Sequence, residues 1–151
     1  MTTRKVALAV VSLGCAALGL LTLGARAAAP VGHFTDNGDG TVRDNLTGLV
    51  WQQGFSPAAQ TQAASVTYCT TVALAGGGWR LPTILELRSI VDESVSSPSI
   101  DQVFFPGTPV EGAWSSSPLA GSSSLGWYVY FPDGVASYYD NLHNYRARCV
   151  R

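Results

Sequence analysis

Polar and apolar residues between His33 and Gln52 alternate in short runs that are separated by Asn-Gly and Asp-Gly steps. Alternation with a period of two is typical of strands that bury one face, and these steps supply the positive φ angles of tight turns. The pattern therefore predicts a hairpin, followed by a third short strand at residues 48–51.

An alanine-rich helix is predicted after this sheet. Ser56 and the proline after it suit the start of a helix, because serine accepts hydrogen bonds from free amide groups and proline has no amide hydrogen to leave unpaired. Apolar spacing extends the helix to about Ala75, with Val66 and Cys69 on its inner face. The three glycines at 76–78 allow a left-handed cap, so the helix should end there.

A second helix is predicted immediately after the Trp-Arg-Leu-Pro step. Pro82 biases the residue before it towards an extended backbone, and Thr83 can cap the helix. Glu86, three residues after Thr83, completes a capping box. Apolar residues at helical spacing continue to Val91, so the two helices are expected to meet at a sharp corner.

Trp79, Arg80 and Leu81 occupy this corner. The tryptophan and the leucine are expected to fill the core below it. An arginine fixed between two buried residues is often held by a carboxylate or by carbonyl groups at a helix end. We therefore expect Arg80 to be a structural anchor, with contact to a ligand as the alternative.

The C-terminal half predicts strands separated by turns rich in serine, glycine and proline. A long packed loop at 94–108 precedes four predicted strands, at 113–117, 127–131, 135–139 and 145–150. On the second of these strands, Trp127 lies on one face, while Tyr128 and Tyr130 lie on the other. One face should join the core and the other should be partly exposed. Together these elements predict a single α+β domain with two helices and short antiparallel strands.

The N-terminal residues 1–29 are typical of an export signal. Arg4 and Lys5 precede an apolar run, and a small-x-small cleavage site follows it at residues 25–27. The run approaches the roughly 18 to 20 apolar residues that span a bilayer, so a retained membrane anchor is the alternative. Cys15 raises lipidation as a second alternative. After cleavage, residues 30–151 form one domain that is secreted or delivered to the periplasm or cell surface, and is no longer integral to the membrane.

The charge of the mature chain limits its partners. Cleavage leaves six arginines and no lysine against ten acidic residues, a formal net charge of −4. An acidic surface does not attract polyanions, which argues against nucleic acid as a partner. Arg146, Arg148 and Arg151 are expected to be solvated strand positions or ion-pair partners.

Two cysteines, Cys69 and Cys149, remain after cleavage. In an oxidising compartment, an isolated pair of cysteines predicts one disulfide. Two free buried thiols are the alternative.

A series of motifs occurs in order along almost the whole mature chain. The motifs are the run from Phe34 to Val42, Thr47-Gly48-Leu49, Trp51, Tyr68-Cys69, Trp79-Arg80-Leu81-Pro82-Thr83 with Glu86, Trp114-Ser115-Ser116, Trp127, and Arg148-Cys149-Val150-Arg151. This order resembles the DUF1566 family, named for the C-terminal domain of the Legionella collagen-like adhesin. The resemblance implies a C-type-lectin-like domain in an exported bacterial protein and supports the Cys69–Cys149 bridge. The adhesin binds sulfated glycosaminoglycans, a ligand that the acidic, lysine-free surface does not favour.

The candidate ligand-binding residues are the tyrosines and asparagines of the last strands. They are Tyr128, Tyr130, Tyr138, Tyr139, Asn141 and Asn144. Aromatic faces and neutral polar groups suit the recognition of a glycan or a protein. We therefore expect a lectin-like binding module at the cell surface or in the envelope. The alternatives are that these residues are cross-strand packing pairs, and that the protein is a structural component of an envelope complex.

The sequence favours a protein that is not an enzyme. Residues 80–83 are similar to a stretch of formylglycine-generating enzymes, which leaves a related enzyme as an alternative. However, the chain lacks a Gly-x-Ser-x-Gly elbow, and His33 and His143 form no zinc-ligand pattern with the cysteines. No metal or cofactor is expected. Calcium at the acidic loop 36–44 is the alternative to a plain turn, although its spacing departs from that of an EF-hand.

Overall fold

The computed structural model describes residues 32–151, so the predicted export signal at 1–29 lies outside the described residues. The described chain forms two helices and two three-stranded antiparallel sheets. The α+β class is therefore confirmed.

The first sheet contains strands β1 (Phe34–Asp36), β2 (Thr41–Asp44) and β3 (Val50–Gln52), in that order. The predicted hairpin is confirmed, and Gly38 and Gly40 both have positive φ in its turn. The third strand begins two residues later than predicted, because Gly48 also has a positive φ, of 78°, which a strand does not allow.

Helix α1 (Gln62–Thr71) begins later than predicted. Its N-cap is Thr61, whose side chain accepts a hydrogen bond from the Ala64 amide. The predicted start at Ser56 is wrong, because the Ser56 hydroxyl instead accepts a hydrogen bond from the Ala147 amide at 3.0 Å. The alanine-rich segment therefore begins as a loop tied to the C-terminal end of the chain.

The inner face of α1 also differs from the prediction. Its buried residues are Ser65 and Cys69, whereas Val66 is 43% exposed. Ser65 and Cys69 are four residues apart and share the buried face, whereas Val66 is turned about 100° from Ser65 around the helix axis, at the edge of that face. The helix also ends earlier than predicted, and Leu74–Gly76 form a separate 3₁₀ turn.

Helix α2 (Ile84–Ser89) begins with the predicted capping box. The Thr83 side chain accepts from the Glu86 amide at 3.3 Å, and the Glu86 carboxylate accepts from the Thr83 amide at 2.8 Å. The helix is shorter than predicted and ends before Ile90, its C-cap.

Arg80 lies beside this cap and forms a two-point ion pair with Glu86. Its Nη1 and Nη2 donate to the two carboxylate oxygens at 2.8 and 2.6 Å. Hydrogen bonding to Arg80 is the main reason that the pKa of Glu86 falls to about 2 from its ordinary value of 4.5. The corner is thus held by a carboxylate that stays ionised through most of the acidic range.

The ion pair predicts a specific loss of stability in acid. Unfolded Glu86 regains its ordinary pKa of 4.5, so its contribution to the free energy of unfolding is present above that value and is lost as the pH falls towards about 2. Glu86→Gln should lower the unfolding free energy by about 1 kcal/mol at pH 7, a modest value because the pair is partly exposed. Urea unfolding at several pH values would measure this.

The difference between wild type and Glu86→Gln should shrink as the pH approaches 2, and an equal difference at pH 7 and pH 2.5 would contradict the assignment. Glu93→Gln is the control, because the Glu93 side chain is 77% exposed. We expect it to change the unfolding free energy at pH 7 by less than about 0.5 kcal/mol.

The second sheet contains β4 (Gly112–Pro118), β5 (Leu125–Tyr130) and β6 (Val135–Asp140), in that order. The fourth predicted strand, at 145–150, is not a regular strand. Its backbone instead forms four isolated β-bridges. Tyr145 pairs with Gln60, and Arg146 pairs with Ala113. Val150 pairs with both Arg80 and Trp51. The end of the chain therefore connects the first sheet, the corner and the second sheet.

Two hydrophobic clusters lie on opposite sides of the second sheet. The larger contains Ala113 and Val129 from the sheet, together with buried residues of the first sheet and α2, and Ile100 and Phe105 of the long loop. The smaller consists of Cys69, Trp79, Leu81, Trp114, Ala147 and Cys149. Trp79 and Leu81 therefore fill the core as predicted, and the predicted Cys69–Cys149 disulfide is formed inside the smaller cluster.

Candidate ligand-binding surface

The hairpin of β5 and β6 carries tyrosines on both of its faces. Tyr130 pairs with Val135, Tyr128 with Ser137, and Gly126 with Tyr139. Residues directly opposite each other in an antiparallel pair share a face, and alternate residues of a strand return to it. Tyr128, Tyr130 and Tyr139 therefore lie on one face, whereas Tyr138, which pairs with Trp127, lies on the other.

Two residues of the C-terminal segment complete the first of these faces. The Tyr145 ring stacks on Tyr128 with centroids 4.4 Å apart, and the His143 ring lies 4.6 Å from Tyr145 and 5.0 Å from Tyr139. We call Tyr128, Tyr130, Tyr139, His143 and Tyr145 the tyrosine face. Tyr145 and His143 were not predicted as site residues, because their contacts to β5 and β6 depend on the path of the chain end.

The base of the tyrosine face is closely packed. The Tyr145 ring lies so near β4 that a Cβ added to Gly112 would be 2.5 Å from the ring, so only glycine leaves room for it. Trp114 lies under the same ring with centroids 5.1 Å apart, and its indole nitrogen donates to the Gln60 carbonyl at 3.0 Å. These contacts fix Tyr145 in position.

Exposure divides the tyrosine face into a base and a rim. Tyr128 and Tyr145 are partly buried, whereas Tyr130 is 40% and Tyr139 is 51% exposed. Burial is the main reason that the pKa of Tyr145 is raised, and its hydrogen bond with Tyr128 raises the pKa further. Tyr145 therefore stays protonated at neutral pH and presents a neutral hydroxyl group.

The remaining candidate residues lie apart from the tyrosine face or have structural contacts. Tyr138 is 48% exposed and makes an edge contact with Trp127, with centroids 5.5 Å apart, on the opposite face. The side-chain amide of Asn141 donates to the Ser123 carbonyl at 3.0 Å and so holds the loop between β4 and β5. Asn144 is exposed and adjoins His143 and Tyr145 in sequence. The six predicted residues therefore do not form one continuous site.

The acidic loop uses its carboxylates to stabilise its own turns. Asp36 accepts from the Gly38 amide at 2.8 Å, and Asp39 accepts from the Thr41 hydroxyl at 2.6 Å. The hydrogen bond from Thr41 is the main reason that the pKa of Asp39 is lowered. Across residues 32–151, no three or more His, Cys, Asp or Glu side chains are grouped in a way that could hold a metal ion.

The three C-terminal arginines have different environments and form no common basic patch. Arg146 forms the expected ion pair, with Glu111 at 2.7 Å. Arg151 lies over the Trp79 ring at 5.0 Å and donates to the Ala75 carbonyl at 2.7 Å.

Arg148 is completely buried, so the prediction of a solvated or ion-paired position is wrong for this residue. Its guanidinium lies 4.1 Å from the centroid of Phe55 and 4.5 Å from that of Phe105. Its Nη2 donates to the Thr108 hydroxyl at 2.9 Å and to the Gln53 carbonyl at 3.1 Å. Burial lowers the pKa of Arg148 to about 9. The aromatic faces and these two acceptors compensate the charge in part, since Nε and Nη1 are buried without a hydrogen-bond partner.

The fold and the disulfide define a small, cross-linked α+β module. The Lcl C-terminal domain family matches residues 40–151, and the chain belongs to this family. The resemblance stated from the sequence motifs is therefore confirmed. The sequence matches no curated protein at a significant level.

Family membership suggests a module of the extracellular type, and the disulfide is compatible with an extracellular or envelope location. Neither helix in residues 32–151 has the length and apolar character required to cross a bilayer.

Proposed function

We propose that the protein is an exported, lectin-like binding module that recognises a neutral glycan through its tyrosine face, at the cell surface or in the envelope. The observation that carries the proposal is the pair of exposed rings, Tyr130 and Tyr139, on a packed aromatic base. Aromatic rings offer apolar faces to the C–H surfaces of sugars, and phenol hydroxyls offer neutral hydrogen bonds. Because the base is already ordered, little conformational entropy is lost when a ligand binds.

Charge supports a neutral ligand over a sulfated one. The mature chain that we predict carries a net charge of −4 and no lysine. His143 is the one basic residue of the tyrosine face, and its ring contacts two tyrosines. A polyanion would need clustered cationic groups, whereas the C-terminal arginines are engaged elsewhere.

The environment of the cysteines supports a role without catalysis. Cys69 and Cys149 are bonded to each other and completely buried, so neither supplies a reactive thiol of the kind that formylglycine-generating enzymes use. A C-type-lectin-like fold is supported by the short antiparallel strands, the two helices and the return of the chain end beside β3. We propose no cofactor, and calcium is tested by the experiment below.

A glycan array probed with the purified protein tests the proposal. Tyr139→Ala should weaken binding to the selected glycan about tenfold, which corresponds to about 1.4 kcal/mol. Tyr138→Ala is a matched control, because Tyr138 is on the same strand with nearly equal exposure but on the opposite face. It should leave binding unchanged.

Calcium and salt are varied in the same screen. Binding to a neutral glycan should change little between low and high salt, because it releases few counterions. An equal loss in both tyrosine variants would contradict the assignment to the tyrosine face. A blank array from folded, disulfide-bonded protein would favour the alternative, a protein partner or an assembly role. Binding that depends on calcium would support a calcium site at the acidic loop 36–44.

A further inference from the structure

Strand β6 is the open edge of the second sheet. The sheet order is β4-β5-β6, and the C-terminal segment bridges to β4 on the far side. Within residues 32–151, no other segment forms a bridge with β6. An open edge presents unpaired backbone N–H and C=O groups that another strand can bind.

The backbone groups that point outward belong to Ala136 and Tyr138. The Phe131 amide donates to the Glu111 carbonyl, so the backbone groups of Phe131 point towards β4. The Tyr130 carbonyl accepts from the Gly134 amide, so the backbone groups of Tyr130 point towards β6. Because these directions alternate along a strand, Tyr128 and Tyr130 direct their backbone groups to β6. Their partners Ser137 and Val135 direct theirs back to β5, which leaves Ala136 and Tyr138 with groups that face away.

The side chains of this edge are unusually apolar for an exposed strand. Val135 is 53%, Tyr138 is 48% and Tyr139 is 51% exposed. Natural edge strands are commonly protected by charged side chains, proline or a bulge, and β6 has none of these before its last residue, Asp140.

We propose that β6 pairs with β6 of a second copy of this chain, antiparallel and with the two-fold axis at Ser137. In this register, Ala136 and the partner's Tyr138 exchange both backbone hydrogen bonds, and the symmetric pair does the same. The two β4-β5-β6 sheets then form one continuous sheet of six strands.

The side chains select this register over its neighbours. With the axis at Ser137, Val135 lies opposite the partner's Tyr139, so these apolar side chains are lateral neighbours on one face of the sheet. Asp140 lies opposite glycine 134 of the second copy, so carboxylates do not face each other directly. Moving the axis to Tyr138 would place Val135 opposite an asparagine and Tyr139 opposite a serine, so one tyrosine–tyrosine pair at the axis would replace the two Val135–Tyr139 pairs.

The pairing would place two tyrosine faces on the same side of the sheet, because a two-fold axis perpendicular to a sheet keeps each face on its own side. The doubling of a glycan site rests on the proposed function, whereas the dimer does not.

A single strand pair is smaller than a standard interface of about 1,600 Å², so we expect a reversible dimer.

Sedimentation equilibrium of protein expressed from the whole sequence tests the dimer. Between about 5 and 500 µM, the mass should rise from that of a monomer to that of a dimer. Ser137→Lys places two like charges opposite each other at the axis and should raise the dissociation constant at least tenfold. Val66→Lys, at an exposed position of α1, adds the same charge and should not change it.

A cysteine at the axis gives an independent test. Opposed residues in a pair without backbone hydrogen bonds have Cα atoms about 4.5 Å apart, which suits a disulfide. In a Cys15→Ser background, Ser137→Cys should oxidise to a covalent dimer much faster than Val66→Cys. A monomer at the highest concentration, a dimer that survives Ser137→Lys, or equal oxidation of the two cysteine variants would each overturn the proposal. Monomeric protein that still binds glycan would overturn the dimer alone.

Discussion

Replacing Cys149 with serine is expected to lower the free energy of unfolding by about 4 kcal/mol in non-reducing buffer. The bond joins residues 80 positions apart, and restricting an unfolded loop of that length is worth about 4 kcal/mol in the chain-entropy account. Both cysteines are completely buried, so the variant also leaves a polar hydroxyl among apolar neighbours. Since domains are typically stable by about 5 to 15 kcal/mol, this loss is a large share of the total.

Thermal and urea unfolding of the wild type, Cys149→Ser and the double Cys69→Ser, Cys149→Ser variant measure this loss. A reductant supplies the control, because it should destabilise the wild type strongly and leave the double variant unchanged. An unaltered melting temperature for Cys149→Ser in non-reducing buffer would contradict a stabilising bridge.

Arg148→Ala is expected to have the next largest effect, a loss of about 3 kcal/mol or more. The residue is fully buried between Phe55 and Phe105, so truncation leaves a cavity and removes two close cation–π contacts. Thr108 still donates to the Phe105 carbonyl at 2.8 Å, so its hydroxyl keeps a partner in the variant. The loss should therefore arise mainly from packing and from the guanidinium's own contacts.

Arg148→Met separates these two causes. Methionine refills much of the volume without a buried charge, so it should cost less than half as much as alanine. Urea unfolding of both variants gives the comparison, and Arg43→Ala, at an exposed position of β2, should cost less than about 0.5 kcal/mol. A methionine variant as unstable as the alanine variant would show that the charge, rather than the volume, dominates at this position.

The candidate site was only partly predictable from the sequence. Alternation along the strand correctly separated Tyr128 and Tyr130 from Trp127. It did not relate β6 to β5, because the register of a hairpin depends on its turn and a shift of one residue reverses every side chain. Alternation also separates Tyr138 from Tyr139, but only the register shows that Tyr139, and not Tyr138, shares a face with Tyr128.

Contacts from the chain end explain the other differences. Ser56 has the chemistry of a helix cap, but its hydroxyl is used by the Ala147 amide, 91 residues away in sequence. Tyr145 reaches the tyrosine face because Gly112 leaves space for its ring. Neither requirement is visible in the local pattern.

The sequence by itself determined the features that depend on neighbours a few residues apart. These are the Asn-Gly and Asp-Gly turns, the Thr83–Glu86 capping box and the alternating faces of β5, together with the pairing of the two cysteines expected in the mature chain. Only the tertiary structure decided the start of α1, the burial of Arg148 and the composition of the tyrosine face. Each depends on where residues 145–150 cross the two sheets, and the free energy of such distant contacts comes from burial and packing that no short window of sequence contains.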